Sequence, residues 1–221
     1  MFDVVHRMPH EFHVEHRMTR DDFIAATGAD AEAMARMDRF VELLSDWNQR
    51  MNLVGPSALG DFWGRHAWDS AQLLKLAPDA LVWVDVGAGA GFPGLVLAIL
   101  LKGRPGATVH LVESMAKRCV FLRAVSADLD LPTQVHNARA ESVNLSPVDV
   151  VTARACAPLP RLLQYVHHLL RGKTTAFFLK GRDAETEIAE ARKTWRFEAT
   201  LTPSASDPEG RILKLQRPTL V

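Results

Sequence analysis

Val82-Trp83-Val84-Asp85-Val86-Gly87-Ala88-Gly89-Ala90-Gly91-Phe92-Pro93-Gly94 reads as an apolar run that ends in a carboxylate and breaks into alternating glycines. A second apolar run, Leu95 to Leu101, follows at once. A strand, a tight turn and a helix fit that order. Glycine has no Cβ, so Gly87, Gly89 and Gly91 can take positive φ and let a ligand lie against the backbone where the strand ends. One strand later, Thr108-Val109-His110-Leu111-Val112 ends in Glu113. That is the spacing at which a βαβ unit offers a carboxylate to ribose hydroxyls. Together these features predict a nucleotide-like ligand at the turn.

The dinucleotide fingerprint G-x-G-x-x-G fails here, because counting from Gly87 puts Phe92 at its third glycine. Asp85-x-Gly87-x-Gly89-x-Gly91 instead resembles the first motif of class I methyltransferases, which hold S-adenosylmethionine across the turn. That ligand has no phosphate. Its sulfonium and amino-acid tail favour a nearby carboxylate such as Asp85, with Glu113 on the ribose. The plain alternative is an ordinary βα turn.

At 221 residues with 48% hydrophobic content, the chain has material for one substantial core with an extension. Its 26 basic and 26 acidic residues cancel, so no global field announces a nucleic acid. Their distribution is uneven: residues 102–182 carry a surplus of +7, against −6 before and −1 after. A phosphate-binding face would produce such a middle, and so would scattered helix-surface charges. Cys119 and Cys156 form no C-x-x-C pair, so no disulfide framework or cysteine zinc site is indicated. No run of about 18 apolar residues and no signal-peptide core is present, so a soluble cytoplasmic protein is expected.

His6, His10, His13 and His16 suit a mobile tail over residues 1–18 better than a metal site, and no metal is expected. Met18 is a candidate alternative start. Thr19 followed by Asp22 predicts one helix cap, and Asp30 opens a second helix to about Gln49. That helix carries an apolar stripe through Met34, Met37, Phe40, Val41, Leu44 and Trp47. With the segment Ala67 to Leu76, it makes residues 19–80 a helical extension packed on a core of residues 81–221.

Beyond Glu113, Ser114 is read as the cap of a helix to about Leu129. Strands are read at Val135, at Val148 to Ala153 and at Thr175 to Leu179, with helices over Leu159 to Leu170 and Asp183 to Trp195. Phe197 to Leu201 and Arg211 to Gln216 suggest an antiparallel terminal pair. The fold expected is α/β, class I (Rossmann-like): a mostly parallel seven-stranded sheet with helices on both faces and ligands at the strands' carboxyl ends.

Methyl transfer from a sulfonium is an in-line displacement, which asks chiefly for alignment of donor and acceptor. Enzymes that methylate exocyclic amines of bases carry Asp/Asn-Pro-Pro-aromatic after the fourth strand. Here that position reads Thr152-Ala153-Arg154-Ala155-Cys156-Ala157-Pro158, which disfavours amine methylation. Cys156 lacks an adjacent proline, which disfavours carbon methylation of pyrimidines. A ring nitrogen with a free lone pair, such as N7 of guanine, needs no base.

Asn52-Leu53, Arg65-His66-x-x-Asp69-Ser70, Asp85 to Gly94, Glu113-Ser114-x-x-Lys117-Arg118-x-x-Phe121-Leu122, Arg139-Ala140-Glu141, Arg154-Ala155 and Lys180-Gly181 occur in that order. Together they resemble the glucose-inhibited division protein B family, with Val54 and Ala88 as mild departures. The resemblance implies a bacterial methyltransferase that uses S-adenosylmethionine on N7 of one guanine in the 530 loop of 16S ribosomal RNA, within the small ribosomal subunit, and a monomer. It also implies cofactor contacts at Gly87, Gly89, Gly91 and Phe92, ribose contact at Glu113 and adenine-side contacts at Ala140 and Glu141, with Arg154 closing that pocket. A surface ion pair is the alternative for Arg139 and Glu141. His66 and Asp69 are assigned to guanine positioning, with a structural pair as the alternative. Lys117, Arg118 and Lys180 are assigned to RNA phosphates, with solvated surface as the alternative. Competing readings are a methyltransferase acting on another RNA or a small molecule, a nicotinamide oxidoreductase, and an RNA-binding scaffold without activity.

Overall fold

In a computed structural model that describes residues 17–55 and 59–221, Thr19 and Asp22 form the expected capping box on α1, Arg20–Thr27. The Thr19 N–H donates to Asp22 Oδ2 at 2.8 Å and the Asp22 N–H donates to Thr19 Oγ1 at 3.2 Å. Asp30 caps α2, Ala31–Met51, by accepting the Ala33 N–H at 2.8 Å. Asn52, in the left-handed conformation with φ 47°, ends that helix. The Asn52-Leu53 motif is thus a helix stop. The expected tail, with its four histidines, lies outside the described residues except for Arg17 and Met18. A π-helical segment, Phe62–Trp68, runs directly into α3, Asp69–Leu76.

The sheet order is β3-β2-β1-β4-β5-β7-β6. Its strands are β1 Val82–Val86, β2 Thr108–Glu113, β3 Thr133–Asn137, β4 Val150–Arg154, β5 Thr175–Lys180, β6 Trp195–Pro203 and β7 Arg211–Leu220. Strands β1 to β5 pair in parallel, and β7 runs antiparallel to both β5 and β6. The intervening helices are α4 Gly94–Leu101, α5 Ala116–Asp128, α6 Leu159–Val166 and α7 Ala184–Ala191, with a 3₁₀ turn at Ala140–Ser142. No helix among the described residues is long and apolar enough to cross a membrane.

Strand alternation assigns side chains to two layers. Trp83, Leu111, Val150 and Phe177 face α2, α3, α4 and α5, so the helices of residues 19–80 share one apolar layer with the sheet. Val84, Val86, Val151, Ala153 and Phe178 face α6 and α7. Helix α4 is apolar on every side because it lies within the first layer, where Leu95, Val96, Leu97 and Ala98 are all buried.

Several boundaries differ from the sequence reading: the helix expected over Leu159 to Leu170 ends at Val166, the strand expected from Val148 begins at Val150, and the terminal pair runs longer than expected. The helix expected to open at Ser114 starts at Ala116, because the Glu113 carboxylate takes the Met115 N–H at 2.7 Å. Trp195 begins β6 rather than ending α7. Its bulky aromatic ring suits a pleated, half-covered surface, and it pairs with Leu220 in register. The strand order reverses between β1 and β4, which is where an open α/β sheet presents its ligand crevice.

Candidate functional site

Gly87, Gly89 and Gly91 adopt φ of 73°, 53° and 92°, so the turn after β1 needs glycine for its backbone alone. Its amides are tied to the next strand: the N–H groups of Gly87 and Ala88 both donate to Val112 O, at 2.9 and 3.1 Å. Asp85 lies beneath this turn. It is on the Trp83 face of β1 and fully buried, and it accepts the Gly94 N–H at 2.9 Å and the Thr152 hydroxyl at 3.2 Å. Burial pushes its carboxyl up to about 6 against the opposing pull of those donors. Asp85 was expected near the sulfonium; strand parity turns its carboxylate inward, where it latches the turn to the start of α4. Gly94, which sequence reasoning missed, makes the latch possible, since a Cβ there would stand 2.7 Å from Asp85 Oδ2 and 2.3 Å from Leu111 Cδ2. The fourth glycine of the run was the available sign.

Glu113 closes the turn from β2. One carboxylate oxygen accepts the Gly89 N–H at 3.0 Å and the other the Met115 N–H, while Arg118 Nη1 stands 3.8 Å away. From Glu113 a crevice of about 210 Å³ extends along Gly87, Ala140, Glu141, Cys156 and Tyr165. Glycine backbone on one wall, a carboxylate at the strand end and small residues on the 3₁₀ turn fit an adenosine moiety laid across the carboxyl ends of β1 and β2. Tyr165 of α6 and Cys156 were not legible from spacing. Cys156 is exposed, yet partial desolvation, with Asp85 and Glu113 nearby, holds its thiol above its ordinary value, so it stays protonated and is a poor nucleophile.

A second crevice, of about 610 Å³, opens on the far side of Cys156 and is lined by Arg65, Asp69, Arg154, Lys180, Ser204 and Arg211 among others. Arg154 faces this crevice and not the adenine side. It shares the parity of Val150 and Thr152 on β4, so it projects towards the π-helical segment, donating to Arg65 O at 3.1 Å and meeting Asp69 Oδ2 at 3.5 Å. Its guanidinium also lies 5.0 Å from the Phe92 ring centroid. His66 is also stacked on Phe92, at 4.5 Å between centroids. Both His66 ring nitrogens are buried without a hydrogen-bond partner among the described residues. Burial and the charges of Arg154 and Arg65 lower its pKa to about 3, so the ring is neutral.

Asp69 Oδ1 accepts from Ser206 Oγ at 2.7 Å, Gln72 Nε2 at 3.2 Å and Ser204 Oγ at 3.3 Å. The β6–β7 loop is thereby pinned to α3. Sequence reasoning did not find Ser204 or Ser206, which lie more than 130 positions from Asp69. Of the assigned phosphate ligands, Lys117 is exposed and Arg118 half-buried beside Glu113. Lys180 departs from the expectation. It has the parity of Phe178, so it turns to the α7 layer, where its ammonium donates to Glu187 at 2.7 Å and to Ala157 O at 2.9 Å with little exposure.

A mostly parallel sheet, a glycine turn over a buried carboxylate latch, a glutamate at the end of β2 and a crevice on either side of Cys156 fit a class I S-adenosylmethionine-dependent methyltransferase. The chain belongs to the rRNA small subunit methyltransferase G family, whose pattern it matches over residues 33–210. The Ribosomal RNA small subunit methyltransferase G of Caulobacter vibrioides is 58% identical over 195 residues, covering 88% of this chain and 90% of the relative. That of Methylorubrum extorquens is 46% identical over 186 residues, covering 83% and 88%. Among solved structures, a mutant of MtNAS in complex with S-adenosylmethionine superposes with TM-score 0.55 at 16% identity, over 89% of this chain and 83% of that one. The Mitomycin 7-O-methyltransferase MmcR also gives 0.55, at 13% identity over 89% and 71%. At such identities they speak to the fold alone.

Proposed function

We propose that this protein, as a cytoplasmic monomer acting on the small ribosomal subunit, transfers a methyl group to N7 of a guanine in the 530 loop of 16S ribosomal RNA. S-adenosylmethionine supplies an electrophilic methyl on a sulfonium. Gly87, Gly89 and the Phe92 backbone cradle it, Glu113 holds its ribose and Ala140 with Glu141 border its adenine. The acceptor crevice carries the argument. Asp69 Oδ1 is already taken by three donors, the Cys156 thiol is held protonated and the Asp85 carboxyl is sealed beneath the turn. Among the described residues the other carboxylates of that crevice are engaged as well, Asp69 Oδ2 beside Arg154, Glu187 by Lys180 and Asp207 by the Glu209 N–H, an arrangement that suits a ring nitrogen attacking with its own lone pair.

Asp69 Oδ2 then takes the N–H edge of the guanine, and Arg154, resting on Phe92, orients the base. The carboxylate also opposes the positive charge that the guanine ring gains on transfer. Lys117 and Arg118, beside the mouth of the donor crevice, meet RNA phosphates. The decisive experiment supplies labelled S-adenosylmethionine with small subunits that lack the modification and maps the label by cleavage at 7-methylguanine. Arg154→Ala should abolish incorporation while calorimetric binding of the cofactor persists. Label in another RNA, or at another atom of the base, would overturn the assignment.

A further inference from the structure

Several arginines of this fold face a carboxylate: Arg39 meets Asp128, Arg217 meets Glu198 and Arg154 meets Asp69. Two on the acceptor crevice do not. Among the described residues, neither Arg65 nor Arg211 has a carboxylate within ion-pair distance, although both line the same cavity of about 610 Å³. Lys180, in that same wall, is neutralised by Glu187. Arg211 is nonetheless held in place. It opens β7, and its Nη1 donates to Pro208 O at 2.9 Å and to Gly210 O at 2.8 Å, which fixes the guanidinium plane against its own loop and leaves Nη2 and Nε unengaged among the described residues. The loop itself cannot drift, because Ser204 and Ser206 are pinned to Asp69. A Cβ at Gly210 would meet Ser204 Cβ at 2.9 Å.

A cation fixed by neutral carbonyls, uncompensated and facing a crevice, is arranged to receive an anion from outside. We infer that Arg65 and Arg211 form a two-point phosphodiester clamp that grips the RNA backbone beside the target nucleotide. The β6–β7 loop is then a substrate-binding element rather than a mere hairpin connection. This rests on the reading of the substrate as RNA. The clamp reads backbone, so it contributes affinity and salt dependence but no base identity.

The test uses the full chain and an unmodified 16S transcript, with affinity followed by anisotropy between 50 and 300 mM KCl, a range of roughly the breadth over which counterion release is read. Arg211→Gln should weaken binding about tenfold and reduce the slope of log affinity against log salt by roughly 0.7–0.9, and Arg65→Gln should do likewise. The double variant should lose about twice that slope, and Arg211→Lys should recover the slope. S-adenosylmethionine affinity by calorimetry should be unchanged in each. Arg65, whose side chain makes no hydrogen bond among the described residues, serves as the second variant if Arg211→Gln fails to fold. A wild-type slope in both variants, or an equal loss of cofactor affinity, overturns the clamp alone. A wild-type protein that neither binds nor methylates the transcript or the subunit overturns the RNA reading beneath it.

Discussion

Asp85→Asn separates two roles that a carboxylate under a glycine turn can play. In the folded chain Asp85 is pushed up to about 6 from its ordinary 3.8, chiefly by burial. A folded value above the unfolded one means that protonation favours the fold: the contribution is fully present below pH 3.8 and is lost as pH rises through 6. The gap is worth about 3 kcal/mol, and full burial leaves little solvent to screen it. Asparagine keeps the shape and offers Gly94 the same acceptor without a charge. Urea unfolding at several pH values from 4 to 8, compared between wild type and variant, should therefore show the variant gaining about 2–3 kcal/mol relative to wild type as pH rises. Cofactor affinity should stay within about threefold, a shift of less than one kcal/mol, since the carboxylate does not face the crevice. Stability curves that remain parallel across this range would refute the buried-latch reasoning. A large loss of cofactor affinity in a well-folded variant would instead support the direct contact expected from the sequence.

Three further outcomes follow from the same geometry. Gly94→Ala drives a methyl group into Asp85 and Leu111 and breaks the latch, so it should cost about 3–5 kcal/mol in chemical denaturation; a cost below about 1 kcal/mol would show that the turn relaxes freely. Glu113→Gln leaves one acceptor oxygen for two amide donors and should raise the cofactor Kd about tenfold by calorimetry, with near-wild-type binding as the refuting result. His66, held to about 3 in the fold against an ordinary 6.5, resists protonation, so stability falls as pH drops below 6.5. His66→Phe keeps the stack on Phe92 and should flatten that acid limb; an unchanged limb would place the acid-sensitive group elsewhere.

The sheet was legible because its strands are short apolar runs bounded by turn residues, and the glycine turn because the backbone there demands positive φ whatever surrounds it. The caps at Thr19 and Asp30 are local hydrogen-bond chemistry and read directly. What escaped was direction and distance. Asp85 and Arg154 stand at or near strand ends, where a ligand is met, and their position alone suggests that they point at it. Yet their parity with Trp83 and Thr152 places them under the turn and towards the π-helical segment respectively, a period-2 inference available from sequence once the covered face is known. Lys180 is hidden by the same rule. The Asp69–Ser204–Ser206 junction joins residues far apart in the chain through packing of β7 into the sheet, and no local pattern encodes it. Trp195 read as helical because the run before it is, and only pairing with Leu220 decided otherwise.

Cys156 borders both hollows, and its sulfur would lie 3.0 Å from a Cβ built on Gly87. If the two hollows hold donor and acceptor as proposed, the two meet at this one exposed side chain. Enlarging that side chain would crowd both chambers at once, whereas trimming it would let water reach the reacting pair.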